Sequence, residues 1–193
     1  MKINLPCKIT LIRIMLIPFV LFFYLTSLFE ATKLVALGLF ILACCTDFID
    51  GYIARKYNLV TDLGKFLDPI ADKLIATVGI LLIICSTVVA YPWGIILAVI
   101  MFARDFIVSL LRQIGASKGV VIAADKLGKL KTIVLNVFIP IFMLLDANVT
   151  LNFLPQIAIN ILNTLGYLGA MIFAILSVVS CINYIAKNKK VFE

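Results

Sequence analysis

Long apolar runs, broken at intervals by Gly, Pro and Asn, dominate the chain. A helix that crosses a bilayer needs about 20 mostly apolar residues. Six stretches meet that length, at roughly 10–28, 34–55, 67–86, 93–112, 131–147 and 156–185. Turn residues separate them, as at Tyr91-Pro92 and Asn152-Phe153-Leu154-Pro155. The last stretch is long enough to tilt or to extend into water. The first follows Lys2, Lys8 and Arg13, as a secretory signal would. No small-residue cleavage site comes after it and the downstream chain is equally apolar, so it is expected to be a retained span. The pattern predicts an all-α integral membrane protein of six transmembrane helices. They form a single domain over residues 1–193, with no internal repeat, low-complexity segment or soluble part.

Composition narrows the class. Hydrophobic residues make up 64% of the chain, and the mean hydropathy is +1.18, far above a soluble domain of this size. No histidine is present, so a general base has to be a carboxylate, Lys, Tyr or Cys, and a His-ligated metal is excluded. Cys7, Cys44, Cys45, Cys85 and Cys181 show no C-x-x-C spacing and read as reduced, mostly buried thiols.

Positive charge sets the orientation. One alternate set of connections carries Lys2, Lys8, Arg55, Lys56, Lys65, Arg112, Lys118, Lys126, Lys129, Lys187, Lys189 and Lys190. The opposite loops carry Lys33, with Glu30 and Asp146. The positive-inside rule therefore places both termini in the cytoplasm. The net charge of +7 is spread along these membrane edges. It reads as topology and attraction to anionic headgroups, not as a nucleic-acid surface.

Four acids stand out against this apolar background. Asp47, Asp50, Asp68 and Asp72 fall within 26 residues, and ionisable groups so close to hydrocarbon mark ion or substrate chemistry by default. Residues three or four apart share a helix face. Asp47, Asp50, Gly51 and Ala54 thus form one stripe at the end of helix two, and Gly64, Asp68 and Asp72 form another at the start of helix three. A short loop joins them, which predicts an antiparallel pair with the polar ends side by side, at the cytoplasmic surface. Converging carboxylates need a counter-charge. Salt bridges to Arg55, Lys65 and Lys73 are one solution, although such pairs add doubtful stability in lipid. Hard divalent cations such as Mg²⁺ or Mn²⁺ are another, and such ions commonly hold substrate phosphates. Gly51, Ala54 and Gly64 either let helices approach or leave room for a nucleotide. Arg55 either snorkels at the boundary or reaches a phosphate.

The pattern Asp47-x-x-Asp50-Gly51-x-x-Ala54-Arg55 followed by Gly64-x-x-x-Asp68-x-x-x-Asp72 resembles the signature of the CDP-alcohol phosphotransferase family, with all eight positions filled. Within it, the chain is most similar to the bacterial phosphatidylglycerophosphate synthases. That narrower similarity rests on Asn4-Leu5-Pro6 with Thr10 and Arg13, Ala103-Arg104-Asp105 with Arg112, and Gly128-Lys129-Leu130-Lys131-Thr132. Cys7 and Ile9 depart from the opening pattern, where Asn and Leu are usual. The resemblance implies transfer of a phosphatidyl group from CDP-diacylglycerol to an alcohol with release of CMP. It also implies a bacterial plasma-membrane protein that forms a homodimer with one active site per subunit. It further implies two divalent cations bridged by Asp47 and Asp68, with Asp50 completing one site and Asp72 the other. Gly51, Arg55 and Thr61 would hold the CDP part, helped by Thr10, with Ala54 and Gly64 leaving space. Asp72 would take the proton from the attacking hydroxyl.

An acceptor such as sn-glycerol 3-phosphate requires a cationic pocket. Arg104 and Arg112 on helix four and Lys126, Lys129 and Lys131 entering helix five are the candidates. Arg104 lies about 12 Å inward from Arg112 by helical rise, and an isolated Arg at that depth is costly unless it faces a polar cavity. Asp105 is expected to point away from Arg104 and to share a face with Arg112. The alternative is an Asp105–Arg112 structural pair, with lysines that only mark the membrane edge. Serine, inositol phosphate or phosphatidylglycerol are other possible acceptors. From another class, an ion-coupled transporter could use the four acids, but its sites usually lie near mid-bilayer in repeated halves.

Overall fold

A computed structural model describes residues 4–56, 61–118 and 126–188. Within these, the side chains of Leu5, Pro6, residues 47–55, Asp62, Lys65, Lys126 and Lys129 lie outside the description. Six helices follow one another: α1 (Leu5–Leu25), α2 (Thr32–Lys56), α3 (Asp62–Ile84), α4 (Trp93–Ser117), α5 (Lys126–Leu151) and α6 (Gln156–Lys187). Their order and number are those the apolar runs predict. The helices outrun those runs at the basic end, because the polar residues there have nothing to interrupt the backbone hydrogen bonding. With 32 residues, α6 is about 48 Å long.

Local chemistry sets the ends. Pro6 sits in the first turn of α1, where a missing N–H costs nothing. Thr61 caps α3, its hydroxyl accepting the Gly64 N–H at 3.1 Å. At the end of α5, Asn152 takes a left-handed conformation (φ 45°). Its N–H reaches the carbonyl of Asn148 at 2.8 Å, and the Asn148 side chain accepts the N–H groups of Phe153 and Leu154.

Among the described residues, four helices are long and apolar enough to cross a membrane: Cys7–Leu25, Trp93–Ser117, Leu130–Leu151 and Gln156–Lys187. In α2 the described residues include a shorter apolar segment, Thr32–Thr46. Large apolar side chains such as Met15, Phe19, Ile133, Met171 and Ile182 are exposed. In an all-helical chain this is the outer surface of a multi-pass membrane protein.

Packing differs from the expected direct pair of α2 and α3. Among the described residues, α1 packs along both of them and α5 does so from the other side. Phe40, Val78, Ile80, Leu135, Phe138 and Ile139 fill the space between. Small residues set the approach: a Cβ on Gly169 of α6 would stand 2.7 Å from that of Phe138 in α5. Phe138, Phe142, Phe173 and Tyr167 then interlock along that seam.

Asp146, expected in a loop, is instead fully buried in α5 (0% exposed). Its Oδ1 accepts the Thr87 N–H at 2.9 Å and the Thr87 hydroxyl at 2.7 Å, and its Oδ2 accepts the Tyr24 hydroxyl. These bonds explain why a carboxylate is tolerated there. They tie α1, the α3–α4 connection and α5 together at the end opposite the acid-bearing helix termini.

Candidate active site

The start of α1 and the start of α3 run alongside each other in matched register. Cys7 Sγ lies 2.9 Å from Thr61 Oγ1, Thr10 Oγ1 donates to Asp68 Oδ1 at 3.1 Å, and Arg13 Nη1 stands 4.0 Å from Asp72 Oδ1. The steps on α1 are one helical turn each, against about two turns and then one on α3, so α1 presents a polar stripe to the acids of α3. Gly64 belongs to the same seam. A Cβ there would come within 3.3 Å of both Cys7 Sγ and Thr61 Oγ1, so its small size first serves helix approach. None of the five cysteines forms a disulfide.

Thr10 and Thr61, expected at the nucleotide, have definite partners within the protein. Thr10 is buried and aims its hydroxyl at Asp68, while Thr61 holds the first turn of α3. Arg13, to which sequence reasoning gave no role, is among the most buried large side chains (1% exposed). Its Nε points to Thr46 Oγ1 at 3.5 Å, one residue before Asp47. Its sequence signals were its place one turn beyond Thr10 and its part in the opening segment that carries the narrower resemblance.

Asp47, Asp50, Gly51, Ala54 and Arg55 occupy the last turns of α2, whose side chains lie outside the described residues. Lys73, weighed as an alternative salt-bridge partner for the acids, has its Nζ 3.5 Å from Ser109 Oγ. Among the described residues no group of three or more metal-binding side chains occurs. The donors that are described fit a hard divalent cation in kind. Asp68 and Asp72 offer carboxylate oxygens one turn apart, with Arg13 Nη1 4.0 Å from Asp72 Oδ1.

On its other side Asp72 opens into a cleft of about 200 Å³ between α3, α4 and α5, whose lining includes Arg104, Asp105, Arg112 and Lys131. Three cations expected at the acceptor thus share one space with Asp72. Lys126 and Lys129 lie with their side chains outside the described residues. Asp105 does not turn away from Arg104. Its Oδ1 accepts from Arg104 Nη1 at 2.8 Å and from Lys131 Nζ at 2.9 Å. The long guanidinium stem bends round the helix, whereas Arg112, about 10 Å further along the axis, is beyond the reach of a short carboxylate. Arg112 Nε donates instead to the Tyr184 hydroxyl at 2.9 Å. Arg104 Nη2 donates to the buried Ser180 Oγ at 3.2 Å, and a Cβ on Gly128 would stand 2.7 Å from that nitrogen. Ser180, Tyr184 and Gly128 therefore shape the cationic wall, and only Gly128 stood in a segment that sequence had singled out.

The profile of the CDP-alcohol phosphatidyltransferase family matches residues 3–183. The chain belongs to this family. It is 40% identical to the CDP-diacylglycerol–glycerol-3-phosphate 3-phosphatidyltransferase of Rickettsia felis over 190 residues, covering 98% of this chain and 97% of that protein. The enzymes of the same name from Rickettsia typhi and Bacillus subtilis are 48% and 43% identical over 130 and 140 residues, in each case 67% of this chain and 70% of theirs. As a CDP-alcohol phosphatidyltransferase the protein is an enzyme that transfers phosphatidyl groups, and its cleft lies beside the acids of the family signature.

Proposed function

We propose that the protein transfers the phosphatidyl group of CDP-diacylglycerol to sn-glycerol 3-phosphate, giving phosphatidylglycerophosphate and CMP. The observation that carries this reading is the cleft in which Asp72 meets Arg104, Arg112 and Lys131. A carboxylate that can take a proton stands beside cations that can hold a phosphate. The names of the relatives point to the same donor and acceptor.

In this reading the acceptor phosphate is bound by Arg104, Arg112 and Lys131, with Lys126 and Lys129 at the entrance. Asp105 holds Arg104 and Lys131 in place before the phosphate arrives. The acceptor hydroxyl oxygen bonds to the phosphorus that carries diacylglycerol. The bond from that phosphorus to the bridging pyrophosphate oxygen breaks, CMP leaves with that oxygen, and the hydroxyl proton passes to the Asp72 carboxylate. Asp47 and Asp68 would bridge two divalent ions, with Asp50 completing one site and Asp72 the other. Bound there, Mg²⁺ or Mn²⁺ would neutralise the pyrophosphate and the charge developing on CMP. Gly51, Ala54 and Arg55 serve the CDP part, while Thr61, Gly64 and Thr10 set the wall behind it.

The same reading has six spans, with both termini and the active site at the cytoplasmic face. The concentration of Lys and Arg at that end supports it. A lipid and a soluble molecule can meet only at such an interface. The protein works as a homodimer with one site per subunit, the commonest symmetric assembly.

The test is CMP release by purified protein in detergent, with CDP-diacylglycerol, Mg²⁺ or Mn²⁺ and a panel of acceptors. Release with glycerol 3-phosphate alone is expected. Release with serine, inositol phosphate or phosphatidylglycerol instead would keep the chemistry and change the acceptor. No metal-dependent release from folded protein would return the four acids to a transport role.

A further inference from the structure

Arg13 is a guanidinium with almost no access to solvent (1% exposed), placed between Thr46 of α2 and Asp72 of α3. A buried cation is costly unless it answers a nearby negative charge. Its neighbours show which charge it answers. Thr46, immediately before Asp47, donates its own hydroxyl to the Ala43 carbonyl at 2.8 Å and so turns a lone pair towards Arg13 Nε, 3.5 Å away. Asp72 lies on the other side, at 4.0 Å. Three residues earlier on α1, Thr10 holds Asp68. The first polar turns of α1 thus follow the acids of α3 one by one, and the only full positive charge in that ladder sits at Asp72.

Two features fix what Arg13 can do. Its burial denies a substrate phosphate contact, so it cannot be a ligand group. Its separation from Asp72 is that of an ion pair without a hydrogen bond. It therefore biases the charge and orientation of Asp72. Asp72 itself is 58% exposed and faces the cleft. The carboxylate is held from behind by a fixed cation and works at the front.

We propose that Arg13 is a positioning residue and a resident counter-cation of the acidic site, orienting Asp72 and restraining the affinity of the site for divalent metal. The inference rests on the metal reading given above. Without Arg13 the acids would repel one another more in the empty site and attract a divalent ion more strongly, whereas Asp72 would lose its fixed orientation. Tighter metal and slower chemistry should then appear together.

The experiment is a titration of Mn²⁺ alone into purified protein in detergent, by electron paramagnetic resonance, paired with steady-state kinetics. Arg13→Met is expected to bind Mn²⁺ about tenfold more tightly than wild type, with kcat lowered and KM for CDP-diacylglycerol little changed. Arg13→Lys keeps the charge and should return the Mn²⁺ affinity towards wild type. Arg13→Gln, which keeps a polar head beside Thr46, serves for the same measurement where the Met variant does not fold. Equal or weaker Mn²⁺ binding in the neutral variants overturns the proposal. Wild-type protein that binds no Mn²⁺ overturns the metal reading itself, a separate result.

Discussion

The hydroxyl of Thr10 donates to Oδ1 of Asp68 across 3.1 Å, joining the first helix to an acid 58 residues away in sequence. Replacing Thr10 with Val keeps the shape and removes the bond. Turnover should fall about tenfold, with a stability loss of about 1 kcal/mol, read from CMP release and thermal unfolding in detergent. Asp68→Asn should abolish turnover while the protein still folds; full activity in that variant would remove Asp68 from the chemistry.

Gly128 is a sharper probe of the acceptor cleft than the cations themselves. A Cβ at that position would stand 2.7 Å from Arg104 Nη2, so Gly128→Ala should push the guanidinium off Ser180. The Michaelis constant for glycerol 3-phosphate should rise about tenfold, and that for CDP-diacylglycerol should change little. Equal effects on both substrates would contradict an acceptor role for Arg104.

Ser180 allows a milder version of the same test. Ser180→Ala leaves Arg104 its bond to Asp105 and removes only the acceptor for Nη2. A rise of about threefold in the acceptor Michaelis constant is expected, consistent with loss of one charge-assisted bond of modest net worth. An unaltered constant would mean that Asp105 alone fixes the guanidinium.

At the far end of the bundle, Asp146→Ala would strand the Thr87 N–H, the Thr87 hydroxyl and the Tyr24 hydroxyl. Destabilisation of about 3–5 kcal/mol follows from breaking a buried charged network by one partner. Thermal unfolding measures it. The folded fraction should keep its Michaelis constants, because this clasp touches neither acid-bearing helix terminus.

Chelation separates the metal from the protein. EDTA should stop CMP release completely, and added Mg²⁺ or Mn²⁺ should restore it without refolding. Activity that survives exhaustive chelation would exclude divalent ions from the reaction.

Apolar run length made the six helices legible, because each run is long enough to sustain one. The shared helix of Asp68 and Asp72 was legible in their spacing, because a helix converts sequence separation into direction. What could not be read was anything set by the register between helices. Arg13 meets Asp72 only because α1 lies beside α3 with Thr10 opposite Asp68. Asp146 looked like a loop residue because its partners are 59 and 122 residues away. The Arg104–Asp105 pair was misread by treating side chains as rigid spokes, when a guanidinium stem is long enough to bend round its own helix. Ser180 and Tyr184 carried no signal at all, being ordinary residues in an apolar helix until a cation on α4 selects them.

The length of α6 has one further bearing. At about 48 Å over 32 residues it exceeds a hydrocarbon core of about 30 Å, so the helix leans or projects by an amount the surrounding lipid decides. Its last turns are the ones that hold Arg104 and Arg112 through Ser180 and Tyr184. A change in the lean of α6 would therefore shift the supports of both guanidinium groups on α4.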